Sequence, residues 1–126
     1  MKKLLLTLAA AALLTLGVAT ATAATPPATA PKSVIHVVTV AWKADATPEQ
    51  IKAALDGAKA LPAAYKGIVR VWAKSIKVQG GKANAIAMEF ADEAALKAYS
   101  DSDAQKNWYK VYLPIREEST TFDITN

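Results

Sequence analysis

The 126-residue sequence contains no cysteine and a single histidine, and these absences exclude several kinds of chemistry. Without cysteine there is neither a disulfide nor a thiolate nucleophile, and one histidine is too few for a zinc cluster. The sequence also lacks a phosphate-binding glycine loop and a Gly-x-Ser-x-Gly nucleophile motif. We therefore expect no metal site and no nucleotide or serine-hydrolase chemistry.

The amino-terminal segment has the three parts of a secretory signal peptide. Residues 1–3 are a basic start, residues 4–18 are mostly apolar, and the small residues 21–23 suit a cleavage site. The apolar run is short for a membrane span, which needs about 20 residues. We predict a signal peptide over residues 1–23 and a flexible spacer of proline, alanine and threonine over 24–32. The expected location is periplasmic or secreted, with no stable membrane insertion after cleavage.

The charge balance gives little support to a nucleic-acid partner. The net charge of the full chain is only +4, and cleavage would remove two of its lysines. Arg70, Trp72 and Lys74 place an aromatic side chain between two basic ones, as on some RNA-binding sheets. The strand that follows lacks the aromatic signature of those sheets, so we expect no nucleic-acid binding.

The remaining residues, 33–126, have the length of one domain and alternate between strand and helix patterns. Runs of β-branched and apolar residues predict strands over residues 34–42, 68–78, 84–90 and 120–125. Gly80-Gly81 predicts the turn between the two middle strands.

Helix signals fall between these strands. Thr47 and Gln50 form a capping box, and Leu61-Pro62 is predicted to end that helix. A second helical region is predicted from Asp92, with a polar break over residues 100–103 and an end near Pro114. The charged residues that follow are expected at its solvated end, and they are Arg116, Glu117 and Glu118. The region's aromatic stripe, expected to be core or dimer contact, is Trp108, Tyr109 and Tyr112.

The order β-α-β-β-α-β predicts an α+β, ferredoxin-like fold with a four-stranded antiparallel sheet and helices on one face. The helix-free face carries either the Val38, Val40 and Trp42 set or the Ile35 and Val37 set, and both are apolar. An apolar face of that size does not stay in water. We therefore expect a second copy of the chain to cover it, giving a homodimer that encloses a cavity.

Residues 34–124 resemble the stress-responsive α/β-barrel family. The resemblance rests on the order and spacing of residues 34–38, 47–51, 61–62, 89–99 and 122–124. It implies a dimeric α/β barrel whose cavity is apolar and partly lined with polar groups. It implies no cofactor.

Cyclase-type members of that family carry the pattern Tyr-x-x-His-Pro-x-His, in which the last histidine is the acid/base. By resemblance His36 matches their first-strand histidine, Tyr99 the tyrosine and Asp123 a last-strand aspartate. Ser102 and Gln105 stand at the positions of the two motif histidines. Because a glutamine side chain has no titratable proton near neutral pH, this departure argues against catalysis. Gln105 is still able to orient a ligand through hydrogen bonds.

Each candidate side chain also has a simpler interpretation. His36 either orients or protonates a ligand, or it is hydrogen-bonded within the dimer core. The Tyr99 hydroxyl either points into a cavity or belongs to a core residue. Asp123 is either a partner for His36 or an exposed strand residue. The predicted ligand-binding set is His36, Val38, Val40, Trp42, Tyr99, Gln105 and Asp123.

Three functions are consistent with these features. The first is an exported homodimer that binds a small apolar or aromatic molecule or acts as a stress-associated module. The second is a cofactor-free cyclase or monooxygenase-type enzyme acting on a small aromatic or polyketide-like compound, with His36 replacing the missing histidine. The third is a structural or interaction dimer with a filled barrel. The incomplete catalytic set favours the first of these functions.

Overall fold

The computed structural model describes residues 32–126, so the predicted signal peptide and all of the predicted spacer except Lys32 lie outside the described residues. The elements in chain order are β1 (Val34–Trp42), α1 (Pro48–Ala64), β2 (Ile68–Trp72), β3 (Asn84–Phe90), α2 (Glu93–Tyr99), α3 (Asp103–Tyr112), a short 3-10 turn (Leu113–Ile115) and β4 (Arg116–Ile124). In this part of the chain no helix has the length and apolarity needed to cross a membrane.

The strands form one antiparallel sheet in the order β2-β3-β1-β4. β1 lies in the interior of the sheet and pairs with β3 on one side and β4 on the other. The predicted ferredoxin-like fold is confirmed, including the division of the second helical region into two helices.

Side-chain caps fix where the helices begin, as their sequences predict. The Thr47 hydroxyl accepts from the Gln50 N–H at 3.2 Å, and Gln50 Oε1 accepts from the Thr47 N–H at 2.9 Å. The Asp92 carboxylate accepts from the Ala95 N–H at 2.7 Å at the start of α2. These bonds satisfy N–H groups that have no partner within the helix.

The predicted ends of α1 and β2 were wrong. α1 continues through Pro62 to Ala64, because Leu61 is buried and its carbonyl still accepts from the Tyr65 N–H at 2.8 Å. β2 ends at Trp72 instead of continuing to residue 78. Beyond it, the Ser75 hydroxyl bonds to both the N–H and the carbonyl of Ala85, so a side chain replaces the strand pairing.

The predicted start of the last strand was also wrong. β4 begins at Arg116 instead of Thr120, so the residues expected at a helix end lie in the strand. The 3-10 turn that contains Pro114 ends the helical region, and Arg116 then pairs with Trp42 of β1. The pairing partner offered by β1 therefore outweighs the weak strand propensity of the charged residues.

The side chains of β1 alternate between two environments. Val34, Val38 and Val40 are buried against the helices. The register opposite β3 puts Ile86, Met88 and Phe90 on the same side, and all three are fully buried. Of the two sets left open by the sequence, it is Ile35 and Val37 that lie on the side without helices.

The helix-free face is the sheet surface that contains Ile35, Val37, Trp72, Phe122 and Ile124. β4 pairing places Phe122 beside Val37 and Ile124 beside Ile35. The exposed fractions of Trp72, Phe122 and Ile124 are 49%, 54% and 58%. A continuous apolar surface of this kind is unusual for a protein that acts as a monomer.

Candidate functional site

A cavity of about 220 Å³ lies between the sheet and the helices α2 and α3, and we call it the helix-side cavity. Its volume equals that of about seven molecules of liquid water, which limits an occupant to a small molecule. β1, α2, α3 and β4 all contribute to its walls. The lining residues are His36, Val38, Leu96, Tyr99, Ser100, Gln105, Trp108, Tyr109, Tyr112, Arg116, Ser119 and Thr121.

His36 and Asp123 form a hydrogen-bonded pair beside this cavity. The two residues are opposite each other in the β1–β4 register, and His36 Nδ1 lies 2.5 Å from Asp123 Oδ1. The Phe90 ring packs nearly perpendicular to the imidazole, with ring centroids 6.0 Å apart. Because the carboxylate engages Nδ1 and fixes the ring, Nε2 is the nitrogen that remains for a ligand.

Two buried phenol hydroxyls in the cavity wall have no hydrogen-bond partner among residues 32–126. They belong to Tyr99 and Tyr112. A buried hydroxyl without a partner costs about 1–3 kcal/mol, so each of these groups has hydrogen-bonding capacity that residues 32–126 leave unused. Trp108 stacks on Tyr112 at 4.5 Å and donates its indole N–H to the Ala54 carbonyl at 2.9 Å. The wall is therefore aromatic and rigidly held.

Burial keeps the Tyr99 phenol neutral. Loss of hydration raises its pKa far above the ordinary value, and the nearby Tyr109 phenol contributes a smaller rise. The pKa of Tyr109 is also raised, chiefly by burial, then by Tyr112; the Arg116 charge opposes the rise. At neutral pH both phenols are donors rather than bases.

We predict that Tyr99 ionises late when the folded protein is titrated with alkali. Because folding raises this pKa, its contribution to stability is complete below the ordinary phenol value of about 10 and falls as pH rises above it. The measurement is phenolate absorbance of the wild type and Tyr99→Phe. The two curves should differ only well above pH 10; a difference near that ordinary value would contradict the burial of Tyr99.

Ser102 and Gln105, which stand where the family motif has histidines, form hydrogen bonds that hold the local backbone. The Ser102 hydroxyl caps α3 by accepting from the Gln105 N–H at 3.2 Å. Gln105 Oε1 accepts from the Asp101 N–H at 2.8 Å, and Asp101 has a positive φ of 65° at the turn between α2 and α3. Gln105 therefore holds this turn with its carbonyl and has its amide NH₂ left to donate.

The structure brings together most of the predicted ligand-binding set. His36, Val38, Tyr99 and Gln105 line the helix-side cavity, and Asp123 reaches it through His36. Val40 and Trp42 do not line it: Val40 is fully buried in the core, and the Trp42 indole donates to Asn84 Oδ1 at 2.8 Å. The predicted enclosure between two helix-free faces differs from this geometry, because these residues lie on the helix side within one chain.

Sequence reasoning missed the contribution of β4 to the cavity. Arg116, Ser119 and Thr121 line it from that strand. They were missed because the predicted strand began only at Thr120. Arg116 was expected at the end of a helix, where it would not pair with β1. Alternation counted backward from Asp123 would have found Thr121 and Ser119 on the same side.

An open groove of about 550 Å³ lies on the other side of the His36–Asp123 pair. Asp123 lines this groove, and Leu96 lines both the groove and the helix-side cavity. The pair therefore stands between the two spaces. Within residues 32–126 no group of acidic or histidine side chains is arranged to hold a metal ion.

Comparison with known protein families assigns the chain to one of them. The model of the stress responsive A/B barrel domain matches residues 34–126. The chain belongs to this family. The resemblance inferred from the strand and helix motifs is thereby confirmed.

Solved structures of low sequence identity share the fold of this A/B barrel protein. A family member with a ferredoxin-like fold from Mesorhizobium loti is 23% identical, with a TM-score of 0.63 over 75% of this chain and 96% of the other. A dimeric ferredoxin-like protein of unknown function from Bacteroides fragilis is 18% identical, with a TM-score of 0.63 over 78% and 100%. Hydroxynitrile lyase from Passiflora edulis is 16% identical, with a TM-score of 0.68 over 76% and 94%. A search of curated proteins finds no match to this sequence.

Proposed function

We propose that this A/B barrel protein is an exported homodimer that binds one small aromatic or apolar molecule in the helix-side cavity of each chain. The observation that carries the proposal is the cavity wall itself. It combines aromatic rings with the His36–Asp123 pair and the unpartnered hydroxyls of Tyr99 and Tyr112. Apolar walls with a few oriented polar groups are typical of small-molecule sites.

Dimer formation is supported by the helix-free face. Its apolar centre is bordered by charges that are already paired, with Arg70 Nε 2.6 Å from Glu89 Oε2 and Lys82 Nζ 2.8 Å from Glu118 Oε2. Covering this surface with a second copy would bury apolar side chains and leave the ion pairs near the rim, the usual anatomy of a protein interface. Related structures are described as dimeric. Export is supported by the signal-peptide pattern of residues 1–23 alone.

Phenol, a single neutral ring, is a suitable probe of the cavity. We expect Thr121→Phe to abolish phenol binding, because Thr121 lines the cavity and a larger side chain fills its space. Ligand-observed NMR measures the binding. The matched control is Thr120→Phe, which adds the same ring at the neighbouring strand position on the opposite face and should keep binding. Equal binding by wild type and Thr121→Phe would place the site elsewhere.

A catalytic role is the second candidate, and the His36–Asp123 pair is the observation that favours it. An imidazole held at Nδ1 by a carboxylate is a common arrangement for a general base. One structure of the same fold is a hydroxynitrile lyase. Turnover of a phenolic or quinone compound that is lost in His36→Ala would favour this role. Binding without turnover across such a panel would favour the binding module.

A further inference from the structure

One end of the helix-side cavity is positively charged, and the family resemblance gave no role to the residue that provides this charge. Of the described residues that line it, Arg116 alone has a permanently charged side chain. The guanidinium lies over the Tyr112 ring, 5.6 Å from the centroid, and its Nη1 makes a long contact of 3.4 Å to the Ser119 hydroxyl. Among the described residues no carboxylate lies within ion-pair distance of it, and Glu118, two positions further along β4, is paired with Lys82.

The strand register separates Arg116 from the acidic group of the site. Arg116 lies opposite Trp42 at one end of the β1–β4 pairing, and Asp123 lies opposite His36 toward the other end. Ser119 and Thr121 line the cavity between them. A negative group placed near Arg116 would therefore be distant from the Asp123 carboxylate.

We propose that the natural ligand is a small aromatic carboxylate, with its carboxylate on Arg116 and its ring against Tyr112 and Trp108. This inference rests on the proposed binding function and adds the charge and orientation of the ligand. A guanidinium offers paired N–H donors that match a carboxylate, and such charged hydrogen bonds are stronger than neutral ones. The cavity volume of about 220 Å³ suits a single ring with its substituents better than a larger ligand.

The test compares 4-hydroxybenzoate with its neutral amide, 4-hydroxybenzamide, by calorimetric titration. The two probes have nearly the same shape, so a difference in affinity reports the charge. We expect the acid to bind at least tenfold more tightly than the amide. Arg116→Gln should remove this preference. Arg116→Lys should keep part of it, because lysine has the charge but lacks the planar, paired N–H donors of a guanidinium.

The chain supplies a matched control in its other arginine, Arg70. Arg70 also lies near an aromatic ring, 5.8 Å from that of Trp72, but on the helix-free face. Arg70→Gln should therefore leave the preference unchanged. Equal affinity for acid and amide, or an unchanged preference in Arg116→Gln, would overturn the anionic ligand while the binding function stands. Failure of both probes and of phenol to bind would overturn both proposals.

Discussion

We expect Val37→Asp to convert the proposed homodimer into monomers. Val37 lies at the centre of the helix-free face, between Ala87 of β3 and Phe122 of β4. In a dimer its replacement would bury two carboxylates against apolar side chains, one from each chain. An unpaired buried charge costs about 3 kcal/mol or more, which raises the dissociation constant at least a hundredfold. Sedimentation velocity of the purified protein measures the change.

Val111→Asp is the matched control for this substitution. Val111 is also an apolar residue at the surface, 42% exposed, but it lies on α3 on the opposite side of the sheet. We expect this variant to remain dimeric at the same concentration. A dimeric Val37→Asp protein with wild-type affinity, or a monomeric wild type, would show that the helix-free face is not the interface.

We expect Phe90→Ala to lower the free energy of unfolding by about 3–5 kcal/mol, the usual cost of removing a fully buried aromatic side chain. Phe90 is fully buried, and its ring lies 5.3 Å from that of Tyr99. It also packs nearly perpendicular to the His36 ring. The substitution therefore removes support from two polar residues of the candidate site, His36 and Tyr99, and phenol binding should weaken together with stability. Denaturant unfolding measures the first effect and NMR titration the second.

The chain's second phenylalanine is the control for the first. Phe122 is 54% exposed on the helix-free face. Phe122→Ala should have little effect on the stability of one chain, but it should make unfolding more dependent on protein concentration by weakening the proposed dimer. Equal losses of stability in the two variants, independent of concentration, would contradict the assignment of the two faces.

The fold was predictable because its signals are local. The capping box at Thr47 and the cap at Asp92 need only neighbouring residues, and both form as the sequence predicts. The alternation of β1 was equally clear, but both of its faces are apolar. The sequence alone therefore did not show which set, that of Val38 or that of Val37, packs against the helices.

The candidate site was predictable from the sequence only where family positions guided it. His36, Tyr99 and Asp123 were found in this way, and the structure brings His36 and Asp123 into contact. Arg116 was missed because its strand begins with charged residues and is stabilised by pairing with a distant strand. Such pairing depends on tertiary structure, which overrides local strand propensity.

Native mass spectrometry of the protein, purified from the cells that produce it, tests small-molecule binding most directly. We predict a species of two processed chains, each carrying one small molecule that is released on collisional activation. The same preparation of Thr121→Phe should give the dimer without the added mass. A wild-type protein with no added mass, or with added mass that Thr121→Phe retains, would contradict binding in the helix-side cavity.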